Sequence, residues 1–307
     1  MPPFDPDFDD ARWTLDWAEV PIHQVPAGAH ADGYVVIERW LAREQIFDRV
    51  YQAREPFPVR ALIDPSGKLW MSDTPQERMM MYNNAIASRG HILIGGLGLA
   101  LYPQYAASRA ERFTIVEQSR AVSEIVGPTL ERALSRPDLT GLRDPSGLRP
   151  IPFEIIHSDA GEFLTAPPLA RYDTIFLDTW DTLTATNLPR INGWRDRAIR
   201  HLAPNGRVLL WGYRWMVRLF EDACRQLLSV PPDEREAWLA AFNQPEAAAL
   251  LRPVVEHFQD VRRTRALAAK RRGLEVRRTS FPLVASGTSD TKSDRDASDP
   301  LPTLSIQ

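Results

Sequence analysis

The chain has 307 residues, enough to bury a sizeable core, and its 37 Lys and Arg nearly balance 40 Asp and Glu, leaving a formal net charge of −3. That balance argues against a protein whose main partner contact is nucleic-acid phosphate. One cysteine, Cys224, excludes a disulfide framework and a thiolate metal site, and the six histidines show no metal-ligand spacing, so no metal is expected. No basic-then-apolar leader opens the sequence and no apolar run approaches a membrane span, which makes a soluble cytoplasmic protein the expectation.

Residues 1–30 are rich in Pro, Asp and Trp and read as an extended arm. Trp13 and Trp17 on that arm suit docking on the body, or, if exposed, a homodimer contact. Tyr34–Trp40 reads as a strand and Leu41–Gln52 as a short amphipathic helix. Two apolar runs between Val59 and Ser72 flank Asp64-Pro-Ser-Gly67, turn chemistry that predicts a hairpin. Asp73-Thr-Pro-Gln-Glu77 starts a helix, with an acidic or hydroxyl cap and Pro in the first turn, running to about Ser88. Residues 31–88 thus form a small β-containing region with an entry helix.

From His91 the pattern alternates strand and helix, the signature of a parallel sheet. Ile92-Leu-Ile94 is a buried strand leading into Gly95, Gly96 and Gly98, and a helix follows from about Tyr102. Arg112–Glu117, Phe153–His157, Tyr172–Asp178 and Arg207–Gly212 are the next strands. Helices are expected over Ser119–Leu134, Gly161–Leu164 and Asn187–Leu202, with a loop at Arg136–Arg149. This Rossmann-like core spans 89–213. Residues 214–284 read as a helical extension with a last strand near Leu274–Val284, and 285–307 as a disordered tail. The fold class is α/β: a mostly parallel Rossmann-like sheet with flanking helices, a small N-terminal β-hairpin element and a helical C-terminal extension.

Three acids, Glu117, Asp159 and Asp178, fall at the C-terminal tips of the second, third and fourth strands of this core, where an open parallel sheet forms its ligand crevice. Each alone is as well explained as a polar strand end; together, after a glycine turn, they point to a site. A dinucleotide site wants G-x-G-x-x-G, but Gly96-Leu-Gly98 is followed by Leu99-Ala-Leu101, so the third glycine is missing. Glu117 suits a ribose-hydroxyl acceptor, Asp159 an acceptor for an adenine amino group, and Asp178 a carboxylate beside a sulfonium and its incoming nucleophile. The glycine pattern and these acids favour S-adenosylmethionine over NAD.

These segments resemble the class I S-adenosylmethionine-dependent methyltransferases, in the branch shaped like spermidine synthase. The resemblance covers about Leu69–Gly212 and rests on Ile92-Leu-Ile-Gly-Gly-Leu-Gly98, Ile115-Val-Glu117, Ile156–Leu164 and Tyr172–Asp181. It implies cofactor contacts at Gly95, Gly96, Gly98, Glu117, Asp159 and Ala160, with Asp178 and Asp181 as catalytic residues. Two departures weigh against aminopropyl transfer. Polyamine synthases carry an aspartate where this chain has Gly98, and a proline after the second catalytic aspartate where it has Thr182. Methyl transfer to an unidentified acceptor therefore ranks ahead of aminopropyl transfer, and a catalytically idle Rossmann binding module is the third reading. Trp180 and Tyr82 are candidate acceptor-pocket residues, each weighed against ordinary core packing. The basic segment 261–278 reads first as a solvated helix face; guidance of a nucleic-acid or acidic-protein acceptor is the competing reading. His157 reads as a hydrogen-bonded structural histidine and Cys224 as buried and inert.

Overall fold

The computed structural model of the chain describes residues 16–46, 49–135, 150–241 and 245–253. Trp13, the loop 136–149, the basic segment 261–278, the expected strand 274–284 and the tail 285–307 lie outside them.

Described residues up to Leu183, together with Pro189–Trp215, form one compact unit. It opens with an antiparallel sheet ordered β1-β2-β3-β4, built from β1 (His30–Ala31), β2 (Tyr34–Ile46), β3 (Arg49–Ile63) and β4 (Leu69–Ser72). The helix expected over 41–52 does not form: Leu41 pairs with Phe57, Arg43 with Gln52 and Glu44 with Tyr51. Ala42, Glu44 and Ile46 turn inward while Arg43 and Gln45 face solvent, the period-2 alternation of a strand. Helix-forming residues are overruled here by cross-strand pairing. The hairpin between β3 and β4 turns as expected, with Asp64 Oδ1 accepting from the Ser66 and Lys68 N–H groups at 2.9 Å.

Helix α1 (Pro75–Ala85) follows, but neither expected cap serves it through its side chain. The Gln76 N–H donates instead to Glu44 Oε2 on β2 at 2.9 Å. Asp73 is buried and takes the Arg60 N–H at 2.5 Å, the Gln24 side-chain amide at 2.7 Å and Arg78 Nη2 at 2.9 Å. It ties the entry segment, β3 and α1 together. The N-terminal arm is not wholly extended: Asp16–Glu19 is a 3-10 turn, and Trp17, 3% exposed, packs 5.6 Å from Tyr51. Trp17 is therefore docked on the body and is no exposed dimer contact.

The second sheet is all parallel, ordered β7-β6-β5-β8-β9. Its strands are β5 (Gly90–Gly95), β6 (Ala110–Glu117), β7 (Phe153–His157), β8 (Tyr172–Leu177) and β9 (Leu202–Leu210). Helices α2 (Leu101–Ala106), α3 (Arg120–Ser135), α4 (Ala160–Phe163) and α5 (Leu188–Ile199) alternate with them, giving the Rossmann-like arrangement. Ile92, Leu93 and Ile94 are fully buried, as a central parallel strand covered on both faces requires. Strand β9 begins at Leu202, five residues before the expected start. Pro204-Asn205-Gly206, between the expected helix and the expected strand, is absorbed as an irregularity within the strand, where Asn205 takes φ +63°. The chain steps from β5 through β6 to β7, then crosses back to β8 and β9. The switch point, and with it the crevice, falls between the C-terminal ends of β5 and β8.

Thr184–Leu188 and the described residues from Met216 form a second unit. Helix α6 (Tyr213–Ser229) runs into it, α7 (Arg235–Ala241) follows, and 245–253 is also helical. Ala223, Leu227, Leu239 and Leu251 make its core, with Cys224 half-buried against them. Among the described residues no helix is long and apolar enough to cross a membrane.

Candidate functional site

The glycine turn is fixed by close approach on two sides. Gly96 has φ +92°, and a Cβ there would run into the Asp178 carbonyl oxygen. Gly98 has φ +51°, and a Cβ there would overlap Met71 Sδ, which reaches the turn from β4. Most of the turn's N–H groups already have partners. Gly96 N–H donates to the Val116 carbonyl at 2.9 Å, Leu97 N–H to Glu117 Oε2 at 2.8 Å and Leu99 N–H to Met71 Sδ at 3.1 Å. Ala100, at φ +58°, donates back to Leu97 O at 2.9 Å.

Glu117 ends β6 only 4% exposed, with its second oxygen, Oε1, accepting the Ser119 N–H at 2.8 Å. Burial raises its carboxyl pKa, and the backbone N–H bonds pull it back. Asp178 follows β8, its N–H donating to Gly95 O at 2.9 Å. Its side chain makes no hydrogen bond among the described residues, and desolvation, then the nearby Glu117 charge, pushes its pKa up to about 7. Asp159 is the N-cap of α4, with Oδ1 accepting the Glu162 N–H at 2.9 Å, and Ala160 is buried beside Gly95. Asp181 is paired with Lys68 Nζ at 2.6 Å, both side chains 58% exposed, and the ammonium lowers its pKa.

Gly96, Gly98, Glu117, Asp159, Ala160, Asp178, Trp180 and Asp181 line one cavity of about 230 Å³ above the switch point. Trp180 is 5% exposed and packs with Trp194 at 6.1 Å and Trp211 at 6.5 Å between ring centroids. Gly95 lies behind the wall, packed on Leu177 and Ala160. Tyr82 does not line the cavity: it is buried edge-on against Tyr105 at 5.6 Å, because α1 turns its Met79–Tyr82 stripe into the core. His157 is exposed at the tip of β7 and, among the described residues, makes no side-chain hydrogen bond of the kind expected of a structural histidine.

Sequence reasoning missed Lys68, Trp70, Met71, Glu77, Thr179 and Trp211, all of which line the cavity. Trp211 and Thr179 follow strands directly, and the strand-tip rule that selected Asp178 would have reached them. The others come from the N-terminal hairpin and α1, and no local pattern signals that they face the glycine turn. A more open depression of about 540 Å³, beside Arg171 and Asn205, lies at the opposite end of β8 and β9 from these strand tips. No group of His, Cys, Asp and Glu that would hold a metal ion occurs among the described residues.

The fold and site define a Rossmann-like α/β protein with an acid-lined crevice at its switch point. No protein-family model matches the chain, and no curated protein is similar to it. Among solved structures, a DhpI complex with SAH is similar over 40% of this chain and 48% of that one, at 18% identity and a TM-score of 0.27. The N-methyltransferase NodS from Bradyrhizobium japonicum is similar over 45% of this chain and 68% of its own, at 14% identity and a TM-score of 0.31. Spermidine synthase from Thermotoga maritima is similar over 59% and 63%, at 14% identity and a TM-score of 0.33. The chain thus spans about half the length of the first of these. At such identities and TM-scores the likenesses carry no argument about activity.

Proposed function

We propose that the chain is an S-adenosylmethionine-dependent methyltransferase acting on an unidentified acceptor. The observation that carries this reading is the pairing of Glu117 with the glycine turn. A pyrophosphate-binding turn presents free N–H groups to its anion. Here three of those groups are taken by Val116 O, Glu117 and Met71, while a buried carboxylate stands beneath the turn with both oxygens oriented by backbone bonds. The Glu117 carboxylate accepts from the Leu97, Ser119 and Gln118 N–H groups and keeps acceptor capacity, which fits a neutral hydroxyl of a ribose. Among the described residues, five cavity carboxylates against one ammonium, Lys68, fit a cationic ligand.

In this reading Glu117 holds the ribose, Asp159 accepts from the adenine amino group through its uncommitted oxygen, and Gly96 and Gly98 admit close backbone approach. When bound, S-adenosylmethionine supplies an electrophilic methyl group on a sulfonium. The chain's own contribution is to align the acceptor in the crevice and exclude water around it. Asp178 orients an acceptor that carries a proton and takes that proton, a role suited to its raised pKa of about 7. Asp181, held ionised by Lys68, serves better as a fixed charge than as a base.

Isothermal titration calorimetry tests the reading. The wild type should bind S-adenosylhomocysteine, and Glu117→Ala should weaken binding roughly 10- to 100-fold, as expected for charge-assisted hydrogen bonds. A wild type that binds neither S-adenosylhomocysteine nor S-adenosylmethionine would overturn it. Aminopropyl transfer is a second reading, favoured by the acid excess around Asp178. Spermidine formed from decarboxylated S-adenosylmethionine and putrescine would establish it.

A further inference from the structure

Met71 stands out because it covers Gly98 where the glycine turn meets the cavity. Its Sδ sits where a Gly98 Cβ would be and takes the Leu99 N–H at 3.1 Å. Thioether sulfur is a weak acceptor, whereas a carboxylate makes a shorter, charge-assisted bond to the same donor. Met71 is carried by β4, and the start of that strand is tied across the cavity by the Lys68–Asp181 pair at 2.6 Å. Both side chains of the pair are mostly exposed, so the tie stabilises the hairpin only slightly and is easily broken. Leu97 N–H, by contrast, is bound by the buried Glu117, a partner that no incoming group displaces cheaply.

We propose that Met71 is a displaceable occupant of the cofactor site, holding the Leu99 N–H in reserve for the carboxylate of the amino-acid tail of S-adenosylmethionine. The inference rests on the cofactor reading above and deepens it by assigning one donor and one competitor to the tail. Entry of the tail swings the Met71 thioether off Gly98 and exchanges an N–H···S bond for an N–H···O⁻ bond. Binding by a tailless adenosine thioether leaves Met71 where it is. Met71 thereby sets a cost on ligands whose tail must displace it, which the carboxylate's bond to the Leu99 N–H offsets and a tailless ligand escapes.

The test compares calorimetric affinities of wild type and Met71→Ala for S-adenosylhomocysteine and for 5′-methylthioadenosine, which lacks the tail. Removing the competitor should tighten S-adenosylhomocysteine binding about five- to tenfold and leave 5′-methylthioadenosine within about twofold, the scale of one weak hydrogen bond. Met71→Leu, which keeps apolar volume over Gly98 and removes the acceptor, should shift affinity in the same direction by a smaller factor, and it stands in if the alanine variant does not fold. Unchanged or weaker S-adenosylhomocysteine binding in the variants, with normal wild-type binding, overturns the role of Met71 alone. So does an equal gain for both ligands. Absence of binding in the wild type overturns the cofactor reading and this inference with it.

Discussion

At the scale of single residues, Asp178 is where burial and charge act most directly. Its folded-state pKa of about 7 lies above its ordinary value of 3.8, so between those values the folded chain binds a proton that the unfolded chain has released. Stability therefore falls as pH rises from about 4 to about 7. Asp178→Asn should match the wild type near pH 4 and exceed it by about 2–4 kcal/mol at pH 8, read by urea denaturation at both pH values. The same substitution should lower kcat by roughly 10²- to 10⁴-fold once an acceptor with a transferable proton is found, and the wild-type rate should climb to a plateau above about pH 7. A variant no more stable than wild type at pH 8 would contradict the assigned environment. Stability and proton acceptance pull in opposite directions at this position, a conflict common at functional sites.

At the scale of elements, the parallel strands were legible because their signals are local. Ile92–Ile94 is a short apolar run before glycines, and Glu117 and Asp178 end similar runs. The β2–β3 hairpin was not legible, because Ala42, Arg43, Glu44 and Gln45 favour helix on their own and adopt strand only through partners such as Tyr51 and Gln52. Asp73 shows the same limit: it looks like a helix cap, yet its carboxylate joins Gln24, Arg60 and Arg78. Asp73→Ala should cost about 3–5 kcal/mol, since it unpairs Arg78 Nη2 and the half-buried Arg60 N–H, whereas Thr74→Ala, which removes the hydroxyl's bond to Glu44 and no side-chain cap bond, should cost about 1 kcal/mol. Equal losses in the two variants would show that the cap, not the hub, organises the start of α1.

At the scale of the molecule, a nearly neutral chain concentrates negative charge at one crevice. Glu77, Glu117, Asp159, Asp178 and Asp181 face a cavity in which Lys68 is the one cation among the described lining residues. A focused field of this kind speeds capture of cations and is screened by salt. Stopped-flow association, followed through the tryptophans that line the cavity, should therefore slow more steeply with added salt for the net cationic S-adenosylmethionine than for S-adenosylhomocysteine, a zwitterion with no net charge. Equal salt slopes would place the acids outside the entry path. The global placement of these groups was only half visible in the sequence: strand tips announce themselves, but residues delivered by the N-terminal sheet, such as Met71 and Trp70, do not.

The interlock of Gly98 with Met71 also constrains how the site can diverge. A side chain at 98 and a methionine at 71 cannot share the same space, so the two positions vary as one unit. Introducing an aspartate at 98 alone should be badly tolerated, whereas Gly98→Asp with Met71→Ala should recover much of the loss, a coupling that a double-mutant cycle measures directly. A route from this site toward one with a charged turn thus runs through position 71 first, on a strand of the N-terminal sheet and 27 residues away in sequence.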